Sequence, residues 1–256
     1  DAAAIEKIPV WHGGSATVQS HLDLTQPFRT RSQSALVVLN DPHLAASGSA
    51  PLAVCFVQRL AAQCTEMPLS VSDSAFCQWR LIADHIVFAG SGNSRPRLWL
   101  KTFFGDSMDG NGIIAGSLFR YDRGTDRFIR VFKYGTVGSN NNQNATFVSH
   151  GPIMGDVITN YPTEDAPFTY WVEVYGPRQG GKYVRILRYR GHTGYGDGNP
   201  LPVADSEMPE ILRRLGHWKP GEPLPTGTAL PVPSKTPCSH PVLRHGEEWC
   251  QLKRVG

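Results

Sequence analysis

The sequence predicts a mostly β fold: antiparallel multi-stranded sheets, propeller-like or sandwich, with one short late helix. Three observations lead there. Ser117 to Tyr134 reads SLFRYDRGTDRFIRVFKY, two aromatic and β-branched runs around the polar loop Asp122-Arg123-Gly124-Thr125-Asp126, which is a hairpin pattern. Similar strand-turn units recur from about Leu98 to Arg190 at the spacing of a sandwich, barrel or blade-like meander. Across the 256 residues, Gly (26) and Pro (20) are raised and the charged fraction is only 18%, which suits short strands joined by many turns and not a helical bundle.

The elements follow in order. Residues 1–34 begin irregularly, with Gly13-Gly14-Ser15 as a break and Gln26-Pro27 as a turn, and then become strand-like. Ala35 to Asn40 is a strand ended by Asp41-Pro42; Leu52 to Gln58 is the next, and Ile82 to Phe88 the core of a third. Leu98 to Phe104 alternates, with Leu98, Leu100 and Phe104 on one face. Ile113 to Tyr121 and Arg127 to Tyr134 form the hairpin, and Thr146 to Ser149 and Asp156 to Thr159 are short strands. Phe168 to Tyr175 alternates Phe168, Tyr170, Val172 and Val174 against Thr169, Trp171, Glu173 and Tyr175, and Tyr183 to Tyr189 is the last strong strand. Asp205 to Leu215 reads as the helix, with Asp205 or Ser206 as cap, Pro209 in a first turn and Gly216 as the stop. This gives one β-rich domain over 1–218 and a Pro-rich C-terminal tail over 219–256 packed on it.

Charge and cysteine chemistry narrow the class. The net charge is +3 with no basic block, so a nucleic-acid partner is not expected; Arg185, Arg188 and Arg190 read as the solvated outer face of a sheet. No apolar run reaches the ~18 residues of a membrane span. The start Asp1-Ala2-Ala3-Ala4 suits a chain whose signal peptide has been removed. The five cysteines form no CxxC pair, so zinc is not expected; the local spacings predict the disulfides Cys55–Cys64 and Cys238–Cys250, leaving Cys77 free.

Two loops could carry chemistry. Asp106 to Ile114 contains D-G-N-G and resembles the middle of a calcium loop, with Asp109, Asn111 and Gly112 at positions three, five and six. That register puts Ser107 at the first position and Leu118 at the closing carboxylate, so no metal is expected there; the alternative is a partial Ca²⁺ site of Asp106, Asp109 and Asn111. Arg190 to Pro200 is the densest polar segment, with His192, Tyr195, Asp197 and Asn199 on a Gly frame and Glu207 downstream. His192, Asp197 and Glu207 could serve as acid and base in a hydrolase. Tyr195, His192 and Asn199 could equally form a binding surface. No serine elbow, phosphate loop or H-E-x-x-H motif occurs, and no cofactor is expected.

Several segments resemble a group of uncharacterised exported proteins of proteobacteria. They are Tyr121-Asp122-Arg123 with Thr125-Asp126-Arg127-Phe128, Asn140-Asn141-Asn142-Gln143, Gly151-Pro152 with Gly155-Asp156, Ala166-Pro167-Phe168, Leu187-Arg188-Tyr189-Arg190, and Tyr195 to Leu201 through Asp205 to Pro209. The resemblance spans roughly residues 117–218 and implies a periplasmic or secreted protein, with no activity attached. The resulting expectation is a non-enzymatic exported binding protein contacting another envelope or secreted protein, as an inhibitor or accessory subunit. The alternative is a hydrolase acting on a cell-wall or glycan substrate.

Overall fold

The computed structural model describes residues 17–32, 34–40, 52–58, 61–66, 78–88, 95–105, 112–135, 143–166, 168–194, 202–222, 225, 231–233, 241–244 and 247–251. The fold is mostly β, as the pattern predicts, and the strand pairings among the described residues are antiparallel. Contacts divide the chain into two compact units, Asp1–Phe88 with Asn93–Asn141, and Ala89–Gly92 with Asn142–Gly256.

The first unit holds two four-stranded meanders. One is β1 (Thr17–Asp23), β2 (Ser34–Asn40), β3 (Leu52–Gln58) and β4 (Ala61–Glu66); the other is β5 (Gln78–Phe88), β6 (Pro96–Gly105), β7 (Gly112–Asp122) and β8 (Arg127–Gly135). A single helical turn, α1 (Thr25–Phe28), takes the place of the expected Gln26-Pro27 turn. Alternate residues of the two sheets meet in one core: Leu36, Val38, Leu52, Val54 and Phe56 from the first, Leu98, Leu100, Phe119, Tyr121 and Phe128 from the second, with Phe28 from α1 and Leu24 just before it. Phe56 stacks on Phe128 at 4.7 Å and meets Phe119 edge-on at 5.0 Å. Cys55 and Cys64 are direct cross-strand partners and are joined by a disulfide, as the spacing predicts.

The β7–β8 turn is fastened to the first sheet. Asp122 accepts from the Thr125 amide (3.3 Å) and hydroxyl (2.6 Å). Asp126, in the left-handed region at φ 54°, accepts from the Tyr121 and Ser32 hydroxyls, while its carbonyl accepts from Gln58 Nε2 at 2.7 Å.

The second unit is built on the meander β9 (Asn144–Phe147), β10 (Val157–Pro162), β11 (Thr169–Pro177) and β12 (Tyr183–Gly194), with α2 (Val203–Arg214) against one face. Tyr170, Val172 and Val174 face the helix, as the alternation predicts, and pack with Ile158, Tyr189, Ile211 and Leu212. Phe168 departs from that pattern: it precedes β11 and is 59% exposed. The helix begins two residues earlier than the sequence reading, with Pro202 at the N-cap, so Asp205 and Ser206 lie inside its first turn and Pro209 sits in the interior. Gly216 ends it as expected, at φ +77°. Beyond Trp218, where an extended tail is expected, β13 (Pro231–Pro233), β14 (Pro241–Arg244) and β15 (Glu247–Gln251) make a three-stranded sheet.

Candidate binding surface

The polar segment singled out in the sequence is strand through Gly194 rather than loop from Arg190, because β12 stays paired with β11 to its end. The pairing jumps there: Trp171 faces Arg190 and Thr169 faces Gly194, so Gly191, His192 and Thr193 bulge out of register. A bulge re-aims backbone groups, and these turn to the carboxylate of Glu207, which is 2% exposed on α2. Glu207 Oε1 accepts from the His192 amide (2.8 Å), the Thr193 amide (2.7 Å) and the Thr193 hydroxyl (2.6 Å), and Oε2 accepts from the Tyr189 hydroxyl at 3.0 Å. Four donors satisfy the buried carboxyl group. Burial and the adjacent Glu207 hold the Tyr189 phenol far above its ordinary pKa, so it stays a donor. Space is tight at Gly191: a Cβ would lie 3.0 Å from the Glu207 carboxyl and 3.2 Å from the Tyr170 carbonyl. Glu207 thus ties the helix to the end of β12. His192 is exposed. Tyr195, Asp197 and Asn199 lie outside the described residues, so the structure places two of the three candidate acid–base residues.

The opposite face of the same sheet carries a second constellation. By register, Tyr161, Trp171 and Arg190 form one cross-strand row, Thr159, Glu173 and Arg188 the next, and Val157, Tyr175 and Arg185 a third. Glu173 is 4% exposed at the centre. It accepts from Arg185 Nη1 at 2.8 Å and from the Tyr175 hydroxyl at 2.6 Å, and Arg188 Nε lies 3.4 Å from its Oε1. The Arg188 guanidinium stands 4.3 Å above the Trp171 ring and donates to the Tyr161 hydroxyl at 3.0 Å. Arg190 reaches the Asp165 carbonyl (2.8 Å) and the Thr169 hydroxyl (3.1 Å) at the rim. Burial and the Glu173 charge push the Tyr161 and Tyr175 phenols up, which keeps both neutral. The arginines do lie on an outer face, but Arg185 and Arg188 are clamped to a buried glutamate and Arg190 to Asp165 and Thr169. The strand alternation puts Trp171, Glu173 and Tyr175 on one face; what the sequence does not display is which β12 residues stand opposite them, since that depends on a second register shift between Val174 and Tyr175.

The remaining candidates are quickly placed. Asp106, Asp109 and Asn111 lie outside the described residues, among which no group of three or more His, Cys, Asp or Glu has metal-binding geometry. Cys77 and Cys238 also lie outside them, as does the Cys250 side chain. Ser149 Oγ and His150 Nδ1 are 2.6 Å apart at exposed positions, on the wall of a cavity of about 170 Å³ shared with Asp205, Met208 and Leu212. Such a volume is below the usual range for an organic ligand, about 300–1,000 Å³. No motif marks that pair in the sequence. No helix is long and apolar enough to cross a membrane, among the described residues. No protein-family model, curated protein or solved structure matches this chain.

Proposed function

We propose that this is a non-enzymatic exported binding protein that contacts another envelope or secreted protein through the outer face of β10, β11 and β12. The observation that carries the reading is the arrangement of Trp171, Tyr161, Tyr175, Arg185 and Arg188 around Glu173. Trp, Tyr and Arg supply most of the binding energy at protein interfaces, and they do so best when their rotamers are fixed beforehand. Here Glu173 fixes Arg185 and Tyr175, and Arg188 is held between Tyr161 and Trp171. Two arginines share one carboxylate, so the patch keeps a positive excess and favours an acidic partner surface. The Cys55–Cys64 bridge supports an oxidising compartment, periplasmic or extracellular. The four donors on Glu207 support a structural role for that carboxylate, which the hydrolase alternative would use as an acid or base.

The test is affinity capture from native envelope and culture medium with wild-type protein and with Trp171→Ala/Arg188→Glu in parallel. The expected result is a protein retained by the wild type, lost from the variant, and rebound as a purified pair with a Kd that rises with salt. Identical capture by both forms overturns the reading. So does release of soluble fragments from envelope glycan by the wild type but not by His192→Ala.

A further inference from the structure

β8 is a terminal strand of its sheet, paired with β7 on one side and with no described strand on the other. From Arg127 to Arg130 its pairing is regular: Asp122, Tyr121, Arg120 and Phe119 stand opposite Arg127, Phe128, Ile129 and Arg130 in turn, and the register shifts only beyond. Along this stretch lies a cavity of about 670 Å³, lined by Phe56, Phe119, Thr125 and all four residues Arg127–Arg130. Successive strand residues point to opposite faces. A cavity touching four in a row therefore follows the open main-chain edge and not one face of the sheet.

The chemistry of the lining is equally specific. Phe56, Phe119 and Phe128 form an apolar floor whose rings are fixed by one another at 4.7–5.0 Å. Ile129 is 36% exposed. Arg127 and Arg130 are exposed, and neither side chain makes an ion pair or hydrogen bond to another described residue. The nearby acids are engaged elsewhere: Asp126 by Tyr121 and Ser32, Asp122 by Thr125 and Arg120. This separates the groove from the arginine face of the other unit, where every arginine already contacts a carboxylate, Arg185 and Arg188 sharing Glu173.

The geometry points to a peptide-binding groove in which an extended segment of a partner protein adds to β8 as a further antiparallel or parallel strand. Main-chain bonds to the free edge would supply affinity, an apolar or aromatic side chain would rest on Phe56, Phe119 and Phe128, and carboxylates in the segment would pair with Arg127 and Arg130. Arginines on an edge strand also serve simply to repel stray strands. A guard of that kind needs neither an aromatic trough beside the edge nor a regular, unbulged stretch, and this edge has both.

The experiment uses the full-length protein and does not depend on the partner surface proposed above. A phage-displayed library of random twelve-residue peptides is selected against it, and the consensus peptide is synthesised. The expected consensus alternates, with an apolar or aromatic residue flanked by Asp or Glu. Its affinity should fall by about tenfold or more in Arg127→Glu/Arg130→Glu, a variant whose exposed positions should leave the circular dichroism spectrum unchanged. Main-chain N-methylation of the peptide should abolish binding, and hydrogen exchange over Arg127–Arg130 should slow on complex formation. Absence of a consensus, equal binding by the double variant, tolerance of N-methylation, or binding without slowed exchange would each overturn the proposal. So would occupation of the cavity by laurate in competition with the peptide but without protection of β8, which would mark a fatty-acid site, and aggregation of the double variant with no peptide bound, which would mark an edge guard.

Discussion

Glu173 and Glu207 are both almost fully buried, and their carboxyl oxygens are satisfied by different means. Glu207 relies on two backbone amides and two hydroxyls, whereas Glu173 relies on a hydroxyl and two guanidinium groups whose own side chains are 48% and 39% exposed. The second arrangement is redundant. Removing either arginine leaves the other in place, so Arg185→Ala and Arg188→Ala should each cost little, as exposed pairs do. The double variant strands a buried carboxylate and should cost about 3 kcal/mol, more than the sum. Urea denaturation of the four proteins in the cycle measures the difference; simple additivity would show that Glu173 does not couple them. Asp156 is the opposite case, a carboxyl that burial raises from 3.8 to about 6 with only partial relief from Arg178. Between about pH 4 and 6 the native state then holds a proton that the unfolded chain has released, so this group lowers stability as the pH rises through that window. Asp156→Asn should therefore melt higher than wild type at pH 7.5, and the gap should shrink toward pH 4. A gap that is constant across that range refutes the assignment.

At the scale of elements, the bulge in β12 joins sheet to helix. It is tightly packed at Gly191, where a Cβ would lie 3.0 Å from the Glu207 carboxyl and 3.2 Å from the Tyr170 carbonyl. Gly191→Ala makes the carboxyl or the strand give by a few tenths of an ångström, and a loss of about 1–3 kcal/mol is expected, the usual cost of overpacking. Guanidinium denaturation checks it, and a neutral result would mean the helix is not held through this contact. The same element marks where the sequence stops being readable. Tyr183 to Tyr189 announces itself by alternation, but Gly191-His192-Thr193-Gly194 has loop composition, and only its pairing with Thr169 makes it strand. The hairpin of β7 and β8 was readable almost to the residue, because its signals are all local: two apolar runs and the Asp122–Asp126 turn. The floor of the β8 groove was not, because Phe56 is brought to Phe119 and Phe128 by the packing of one sheet on another, which no local pattern encodes.

The four-stranded sheets are meanders in which each strand pairs with its neighbours in sequence, whereas the late three-stranded sheet runs in the order β13-β15-β14. That order is why strand-turn spacing revealed the fold class, and also why it left the arrangement of the sheets open. The disulfide is likewise legible from spacing, since partners on adjacent strands of a hairpin are close in sequence. On the chain-entropy view a bridge with a sequence separation of 9 stabilises by about 2–3 kcal/mol. Cys55→Ser/Cys64→Ser should lower the denaturation midpoint accordingly. Peptide mapping of protein recovered from its native compartment should find the two cysteines linked, whereas cytosolic expression should yield free thiols. Free thiols from the native source would contradict export.

Meander wiring also sets a timetable for a chain that emerges from its N-terminus, whether from a ribosome or a translocation pore. The sheet of β1 to β4 needs nothing downstream for its hydrogen bonds and can close its own disulfide as soon as Cys64 appears. Its apolar face cannot be covered so early: Leu36, Val38, Leu52, Val54 and Phe56 await Leu98, Phe119 and Phe128. For that interval the nascent protein is a finished sheet with a bare hydrophobic side, the state in which a holdase chaperone or a neighbouring nascent chain competes directly with the protein's own second half.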